Sequence, residues 1–228
     1  QAYADAYEKL IRQILHMPGG ERTTMRPVSQ RREPGIYEWK KRHEEKLKSI
    51  ASASPRKVII GNSITHYWND EPGRVNGPES WKRHMQPAGF FNLGCGWDRI
   101  ENVLWRIYHG ELDGYVAEEV VVMIGTNNIG LDSDEEIVGG LQFLLKQIEK
   151  RQPSALIKVV GILPRRSRET TVKALNRQIA KMAEQHNWHF VDPGEKLLKN
   201  GMIDESLFTD GLHPNEKGYA LIAPLLVR

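Results

Sequence analysis

The sequence predicts an α/β protein: a three-layer α/β/α sandwich with a five-stranded parallel sheet. Five short apolar runs predict the strands, and each run stops at a glycine or at a polar loop. Stretches with apolar residues at helical spacing separate the runs, so strand and helix alternate along the chain. Such alternation implies βαβ units, in which helices cover both faces of a parallel sheet.

The first 54 residues are expected to form a helical extension that packs on the main domain at 55–228. Residues 3–17 carry apolar side chains at helical spacing and predict an amphipathic helix. The polar, proline-containing segment 18–34 indicates an extended connection. Residues 36–50 then predict a second, more highly charged helix.

Within the main domain, strands and helices follow one another in a regular order. The predicted strands have apolar cores typical of strands buried on both faces, and they lie at 57–60, 89–93, 119–124, 155–162 and 188–192. Helical patterns lie at 100–107, 134–151 and 169–187, and a last helix begins after Pro214. Asp132 and Ser133 are residue types suited to cap the helix at 134–151.

Several aromatic residues can be interpreted either as core or as part of a site. Trp39 and His43 lie one helical turn apart and are interpreted as packing residues. The Gly- and Pro-rich segment 70–87 shows no clear long element. In or beside that segment stand three aromatic residues that could wall a pocket or belong to the core: Tyr67, Trp68 and Trp81.

Charge and cysteine content narrow the classes of partner. The chain of 228 residues has a formal net charge of +3 with both signs interspersed, so we expect no nucleic-acid partner. The basic stretch at 165–168 is interpreted as a solvated loop, and Cys95 as a small packing residue.

No apolar run approaches the ~20 residues of a membrane span, so a soluble chain is expected. Because numbering begins at Gln1, a removed export signal is compatible with the sequence, and localisation stays open.

Three residues suggest nucleophilic catalysis. Ser63 follows the first predicted strand and Gly61, at the sheet edge where ligands of open α/β sheets bind. Near the C-terminus, Asp210 and His213 lie three positions apart on one turn. A serine hydroxyl needs an imidazole to take its proton and a carboxylate to orient that imidazole. The Gly-x-Ser-x-Gly elbow of other α/β hydrolases is absent, because Thr65 occupies its last position.

Four short sequence blocks stand in order along the chain: Gly61-Asn62-Ser63, the run from Asn92 to Asp98, Gly125-Thr126-Asn127-Asn128, and Asp210-Gly211-Leu212-His213-Pro214. The string Leu104-Trp105-Arg106 follows the second block. These blocks and their order resemble the SGNH (GDSL-like) hydrolases, and most closely their platelet-activating-factor acetylhydrolase-like branch. The resemblance covers roughly residues 55–228 and implies the flavodoxin-like SGNH hydrolase fold.

The resemblance implies a metal-independent ester hydrolysis without an organic cofactor. Ser63 would attack the acyl carbon, His213 would carry the proton, and Asp210 would hold the histidine. The implied oxyanion hole combines the backbone N–H of Ser63, a backbone N–H of the second block at Gly96 or Trp97, and the side-chain amide of Asn127.

Two positions depart from the family pattern. Asn62 stands where the first block has aspartate, which removes a negative charge but keeps a hydrogen-bonding side chain. Trp97 stands where the family's oxyanion-hole glycine is expected.

The resulting hypothesis is a serine esterase that removes a small acyl group, preferably O-acetyl, from a carbohydrate. Aromatic side chains that could stack on sugar rings support this class: Tyr67, Trp68, Trp81 and Trp97. The alternatives are a lysophospholipase or thioesterase of the same family and a non-catalytic carbohydrate-binding protein with this fold. The expected partner is a small-molecule or glycan ester, and relatives make a homodimer one option. The isolated pair His186 and His189 is interpreted as a helix end rather than as a zinc site, and no metal is expected.

Overall fold

The computed structural model describes residues 23–30, 38–70 and 74–228 of the chain. The central sheet consists of β1 (Lys57–Gly61), β2 (Phe90–Gly94), β3 (Glu119–Met123), β4 (Leu156–Val160) and β5 (His189–Val191). All neighbouring strands are parallel, in the spatial order β2-β1-β3-β4-β5. This is the flavodoxin-like order, whose ligands bind beyond the carboxyl ends of β1 and β3. The predicted fold class is confirmed.

Alternate residues of the central strands enter two separate apolar cores. In β1, Val58 and Ile60 pack in one core while Ile59 packs in the other, and all three are fully buried. β3 follows the same alternation. A sheet that is covered on both faces explains why these strands appear in the sequence as uninterrupted apolar runs.

Six helices of seven or more residues cover the sheet in the described ranges. They are α1 (Trp39–Ala53), α2 (Ser63–Asn69), α3 (Ile100–Tyr108), α4 (Asp134–Arg151), α5 (Glu169–Gln185) and α6 (Glu216–Leu226). The predicted cap of α4 is confirmed, because Ser133 Oγ accepts a hydrogen bond from the Glu136 N–H at 3.3 Å. None of the helices just named is long and apolar enough to cross a lipid bilayer.

The segment 70–87, for which the sequence predicts no long element, is helical in much of its described part. A helical turn at Pro78–Ser80 continues as a wider π-helical turn at Trp81–Met85. Proline fits the first position of a helix, where its missing N–H costs no hydrogen bond. The Glu216 carboxylate of α6 accepts the Ser80 N–H at 2.7 Å. Because this capping carboxylate comes from a distant part of the chain, the residues near 78–85 do not predict the helical turn.

Two of the aromatic residues in this region are core residues. Trp68 is fully buried and Trp81 is 5% exposed. Trp68 stacks on Tyr219 with ring centroids 4.6 Å apart, and its Nε1–H donates to Ser80 Oγ at 2.8 Å. The pocket interpretation is therefore wrong for Trp68 and Trp81, because each ring is enclosed by helix packing.

The described part of the N-terminal region lies against the main domain. Trp39 and His43 of α1 are buried, which confirms their interpretation as packing residues. Residues 23–30, called the strap below, run past the first turns of α3 and α4. The predicted helix at 3–17 lies outside the described residues, and the division of the chain at residue 54 stays a prediction.

A cluster of buried charges lies below the carboxyl ends of β1 and β2. The Arg106 guanidinium is fully buried, pairs with Asp98 at 2.8 Å and also pairs with Glu111. Its N–H groups further donate to the backbone carbonyls of Leu93 at 2.9 Å and Gly61 at 3.1 Å. Burial raises the pKa of Asp98 to about 7 against the opposing effect of Arg106. Buried ions persist only when paired in this way.

We expect Arg106→Met to lower the free energy of unfolding by about 3–5 kcal/mol, because two carboxylates would stay buried without their cation. Urea unfolding followed by circular dichroism measures the loss. The matched control is Arg56→Met, since Arg56 pairs with Glu118 at the surface, where its side chain is 75% exposed. That control should change stability by less than about 1 kcal/mol. Equal losses in the two variants would contradict the role given to Arg106.

Candidate active site

The carboxyl end of β1 leads directly into α2, and Ser63 is the first residue of that helix. Asn62 caps it, because its Oδ1 accepts the Ile64 N–H at 2.9 Å. The Asn62 side chain therefore organises this turn through its amide oxygen. A Cβ at Gly94 would lie 2.2 Å from the backbone nitrogen of His66. Glycine is therefore required for α2 to rest on the end of β2.

The structure brings Ser63, His213 and Asp210 into one hydrogen-bonded row. Ser63 Oγ lies 2.8 Å from His213 Nε2, and His213 Nδ1 lies 2.7 Å from Asp210 Oδ2. Asp210 Oδ1 also accepts the backbone N–H of His213 at 2.8 Å, which fixes the carboxylate on its own turn. A carboxylate can only accept, so Nδ1 carries the imidazole proton and Nε2 accepts from the serine hydroxyl.

The surroundings favour a neutral imidazole and an ionised carboxylate. Burial lowers the pKa of His213 below its usual 6.5, against the opposing effect of Asp210, and the nearby Arg74 lowers it further. Burial by itself would raise the pKa of Asp210, but hydrogen bonds from His213 hold it below the usual value. At neutral pH, His213 can therefore receive a proton from Ser63.

Arg74 and Tyr67 flank this row and were not assigned to it by the sequence. Arg74 donates to Asp210 Oδ2 at 3.1 Å, and its guanidinium lies 4.4 Å from the centroid of the Tyr67 ring. The Tyr67 ring in turn lies 5.2 Å from the His213 ring. No motif marks Arg74, because it follows a segment without periodicity; the aromatic character of Tyr67 was the one signal available.

The second sequence block forms a tight turn from Cys95 to Asp98. The Asp98 N–H donates to the Cys95 carbonyl at 3.3 Å, and Trp97 adopts a φ of 60°. A positive φ at the third residue of a β-turn is typical of type II and is favoured for glycine. A glycine, which is expected here from the family pattern, would adopt this φ without strain. Trp97 satisfies the same backbone geometry with a side chain that is 37% exposed.

Asn127 lies next to this turn, in the short helical turn Thr126–Asn128 that follows β3. Its Nδ2 donates to the Asp98 carbonyl at 2.9 Å. Trp97 and Asn127 share a cavity of about 390 Å³ that is lined mainly by polar side chains, including Gln30 of the strap and Arg99. Asn128 has a different place: it is fully buried and its Oδ1 accepts the Ile100 N–H at the start of α3.

The other residues singled out by the sequence lie in structural positions. Cys95 is fully buried, and burial raises its pKa to about 12, which agrees with a packing residue. In the basic loop, Arg166 pairs with Glu205 at 2.6 Å on the surface. His186 lies 2.6 Å from Gln142 Nε2 and stacks on Trp188. Across residues 23–30, 38–70 and 74–228, no group of three or more metal-ligating side chains is present.

Comparisons with known proteins agree with this architecture. Residues 59–221 match the model of the GDSL-like Lipase/Acylhydrolase family. The chain is 29% identical over 216 residues to the human platelet-activating factor acetylhydrolase IB subunit alpha1, covering 92% of this chain and 90% of the relative. It is 28% identical over 194 residues to the alpha2 subunit from Rattus norvegicus, covering 82% and 81%.

Solved structures show the same fold. A GDSL-like lipase from Bacteroides thetaiotaomicron superposes with a TM-score of 0.67 at 18% identity, covering 82% of this chain and 94% of that one. The matched residues run from Ile59 in β1 past the Asp210–His213 turn, so the match includes the strand ends that carry Ser63 and Asn127. The chain therefore belongs to the GDSL-like lipase/acylhydrolase family.

Proposed function

We propose that the protein is a metal-independent serine esterase that removes a small acyl group, preferably acetyl, from an oxygen of a carbohydrate. The observation that carries the proposal is the row Ser63–His213–Asp210, with contacts of 2.8 and 2.7 Å. The three groups stand in the order that nucleophile, base and orienting carboxylate require. Membership of an acylhydrolase family supports ester hydrolysis as the reaction.

In the proposed reaction, Ser63 Oγ attacks the acyl carbon while His213 Nε2 takes the hydroxyl proton. The tetrahedral intermediate collapses, His213 returns the proton to the leaving alcohol oxygen, and an acyl-serine remains. Water then attacks that ester with His213 again as base, which releases the acid and restores Ser63. Asp210 stabilises the imidazolium in both steps without taking its proton.

The oxyanion would be held by the backbone N–H of Ser63, by a backbone N–H of the Cys95–Asp98 turn, and by Asn127 Nδ2. The bond from Asn127 to the Asp98 carbonyl supports this role, because it fixes the amide while using only one of its two N–H bonds. Of the turn's two central amides, we favour that of Trp97 over that of Gly96. The positive φ of Trp97 occurs where the family has its oxyanion-hole glycine.

Two observations support a small acyl group on a polar alcohol. The relatives named above are acetylhydrolases by name. A polar cavity of roughly 390 Å³, within the range of small-molecule sites, lies beside Trp97 and Asn127. Ser63 and His213 do not line it, so it would receive the alcohol part of the substrate next to the reacting ester. Since Trp68 and Trp81 are core residues and Tyr67 is only 3% exposed, stacking on a sugar ring would depend on Trp97, whose side chain is partly exposed.

We expect Ser63→Ala to lower kcat for p-nitrophenyl acetate by about 10⁴-fold or more, because the nucleophile is lost. Asn127→Ala should lower kcat by about 10²–10³-fold, since it removes one oxyanion donor. Both are measured in the presence of a chelator. Ser52→Ala, an exposed serine on α1, serves as the matched control and should be fully active. Wild-type activity that survives in Ser63→Ala would rule out the serine mechanism.

Acyl-length preference separates the proposed esterase from a lysophospholipase or thioesterase. For p-nitrophenyl esters from acetate to octanoate, kcat/KM should be highest for acetate and fall with length. Acetylated mono- and oligosaccharides, assayed by acetate release, should be substrates. A clear preference for acyl chains of eight or more carbons would contradict the deacetylase proposal while leaving the serine mechanism intact.

The pH profile should report the titration of His213. Only the neutral imidazole can act as base, and its pKa lies below 6.5. As the pH is lowered, kcat/KM should therefore fall with a midpoint below pH 6.5. Arg74 disfavours the imidazolium, so Arg74→Ala should move this acid limb to higher pH, whereas Arg74→Lys should leave it near the wild-type position. An acid limb that is identical in all three proteins would contradict the effect assigned to Arg74.

A further inference from the structure

We propose that Gln30 of the strap is a positioning residue of the active site, which keeps the Gly96–Trp97 peptide in the orientation needed for oxyanion binding. This inference rests on the proposed function, because it assigns a purpose to the turn that would hold the oxyanion. Part of the N-terminal region would then contribute to catalysis, although that region lies outside the four sequence blocks of the family.

The strap is held on the main domain along its whole described length. At its start, Thr23 Oγ1 donates to Asp132 Oδ1 at 2.9 Å. Thr24 is fully buried and donates to the Glu136 carbonyl at 2.8 Å. A Cβ at Gly140 would lie 2.4 Å from the Thr24 Cβ, so the surface of α4 has a recess for this threonine. The strap therefore arrives at the active site in a defined position.

Further along, the strap pairs with the start of α3. The Val28 N–H donates to the Glu101 carbonyl at 3.1 Å. Asn102 Nδ2 donates to the Val28 carbonyl at 2.9 Å. Both backbone groups of Val28 are thus fixed two residues before Gln30. This placement brings the Gln30 side chain to the Cys95–Asp98 turn.

Gln30 contacts that turn at two points through one nitrogen. Its Nε2 donates to the Gly96 carbonyl at 3.1 Å and to Asp98 Oδ1 at 2.8 Å. In a trans peptide the carbonyl and the following N–H point in opposite directions. Fixing the Gly96 carbonyl towards the strap therefore also fixes the Trp97 N–H on the opposite side. Gln30 controls the direction of the amide proposed for the oxyanion hole.

The turn needs such a restraint because its conformation is strained. A tryptophan at φ 60° occupies a left-handed backbone region that is sterically unfavourable for non-glycine residues. Rotation of the Gly96–Trp97 peptide would convert a type II turn into a type I turn, in which the third residue has an ordinary negative φ. The rotated peptide would also turn the Trp97 N–H away from its present side. Only the present orientation offers the Gly96 carbonyl to Gln30, so that hydrogen bond opposes the rotation.

The test replaces the amide donor by a side chain of the same length. We expect Gln30→Met to lower kcat for p-nitrophenyl acetate by about ten- to a hundredfold, with KM changed less than threefold, because an oxyanion donor acts mainly in the transition state. In the same variant, the nuclear Overhauser effect between Gly96 Hα and the Trp97 N–H should weaken, because these atoms are close in a type II turn, where ψ of the second residue is about 120°, and farther apart in a type I turn. The matched control is Thr23→Val, which removes a hydrogen bond at the other end of the strap and should leave kcat and this nuclear Overhauser effect unchanged.

A double-mutant cycle with Trp97→Gly tests the physical cause. Glycine has no strain at positive φ, so Gln30→Met should lower kcat less than threefold when residue 97 is glycine. Equal losses in the two backgrounds would overturn the proposal, as would an unchanged kcat in folded Gln30→Met. Wild-type turnover is measured first. Its absence would reject the proposed function itself, whereas turnover that is insensitive to Gln30 would reject only the role of Gln30.

Discussion

One buried cation connects the parts of the candidate site. The Arg106 guanidinium binds the carbonyl at the end of β1, a carbonyl of β2, and the carboxylates of Asp98 and Glu111. The strand that presents Ser63 and the turn that contains Trp97 are therefore held by the same group. In a fully buried setting these bonds have no competition from water, so the distance between nucleophile and turn is fixed by the interior rather than by the surface.

Asp98 links this interior to the surface layers. Its carboxylate accepts hydrogen bonds from the Arg106 guanidinium and from the indole N–H of Trp39 in α1. Its backbone carbonyl accepts a hydrogen bond from Asn127 Nδ2. Gln30 of the strap also donates to this carboxylate, so side chains from four separate parts of the chain meet at Asp98. The candidate site is therefore a property of the assembled domain, even though the Asp210–His213 turn organises itself locally.

The predictable features were those whose signal is local. β1 and β3 appear as apolar runs because both of their faces are covered, and the cap at Ser133 uses a pattern that spans four residues. The row of Ser63, Asp210 and His213 could be anticipated because each residue stands in its own recognisable motif. Arg74, Gln30 and the helical turn at 78–85 depend on partners that are distant in sequence, so no pattern of neighbouring residues identifies them. Exposure could not be predicted for the tryptophans, because core and pocket positions share the same composition.

The buried position of Cys95 has a consequence for the chemistry of the whole chain. It is the single cysteine in the sequence, and burial keeps it as a thiol rather than a reactive thiolate. With one cysteine among 228 residues, no disulfide can form within this sequence, and the Cys95 side chain has no exposed surface. We expect the folded chain to react with thiol reagents only after unfolding. A cysteine introduced on the strap would be a selective attachment point for a spectroscopic label.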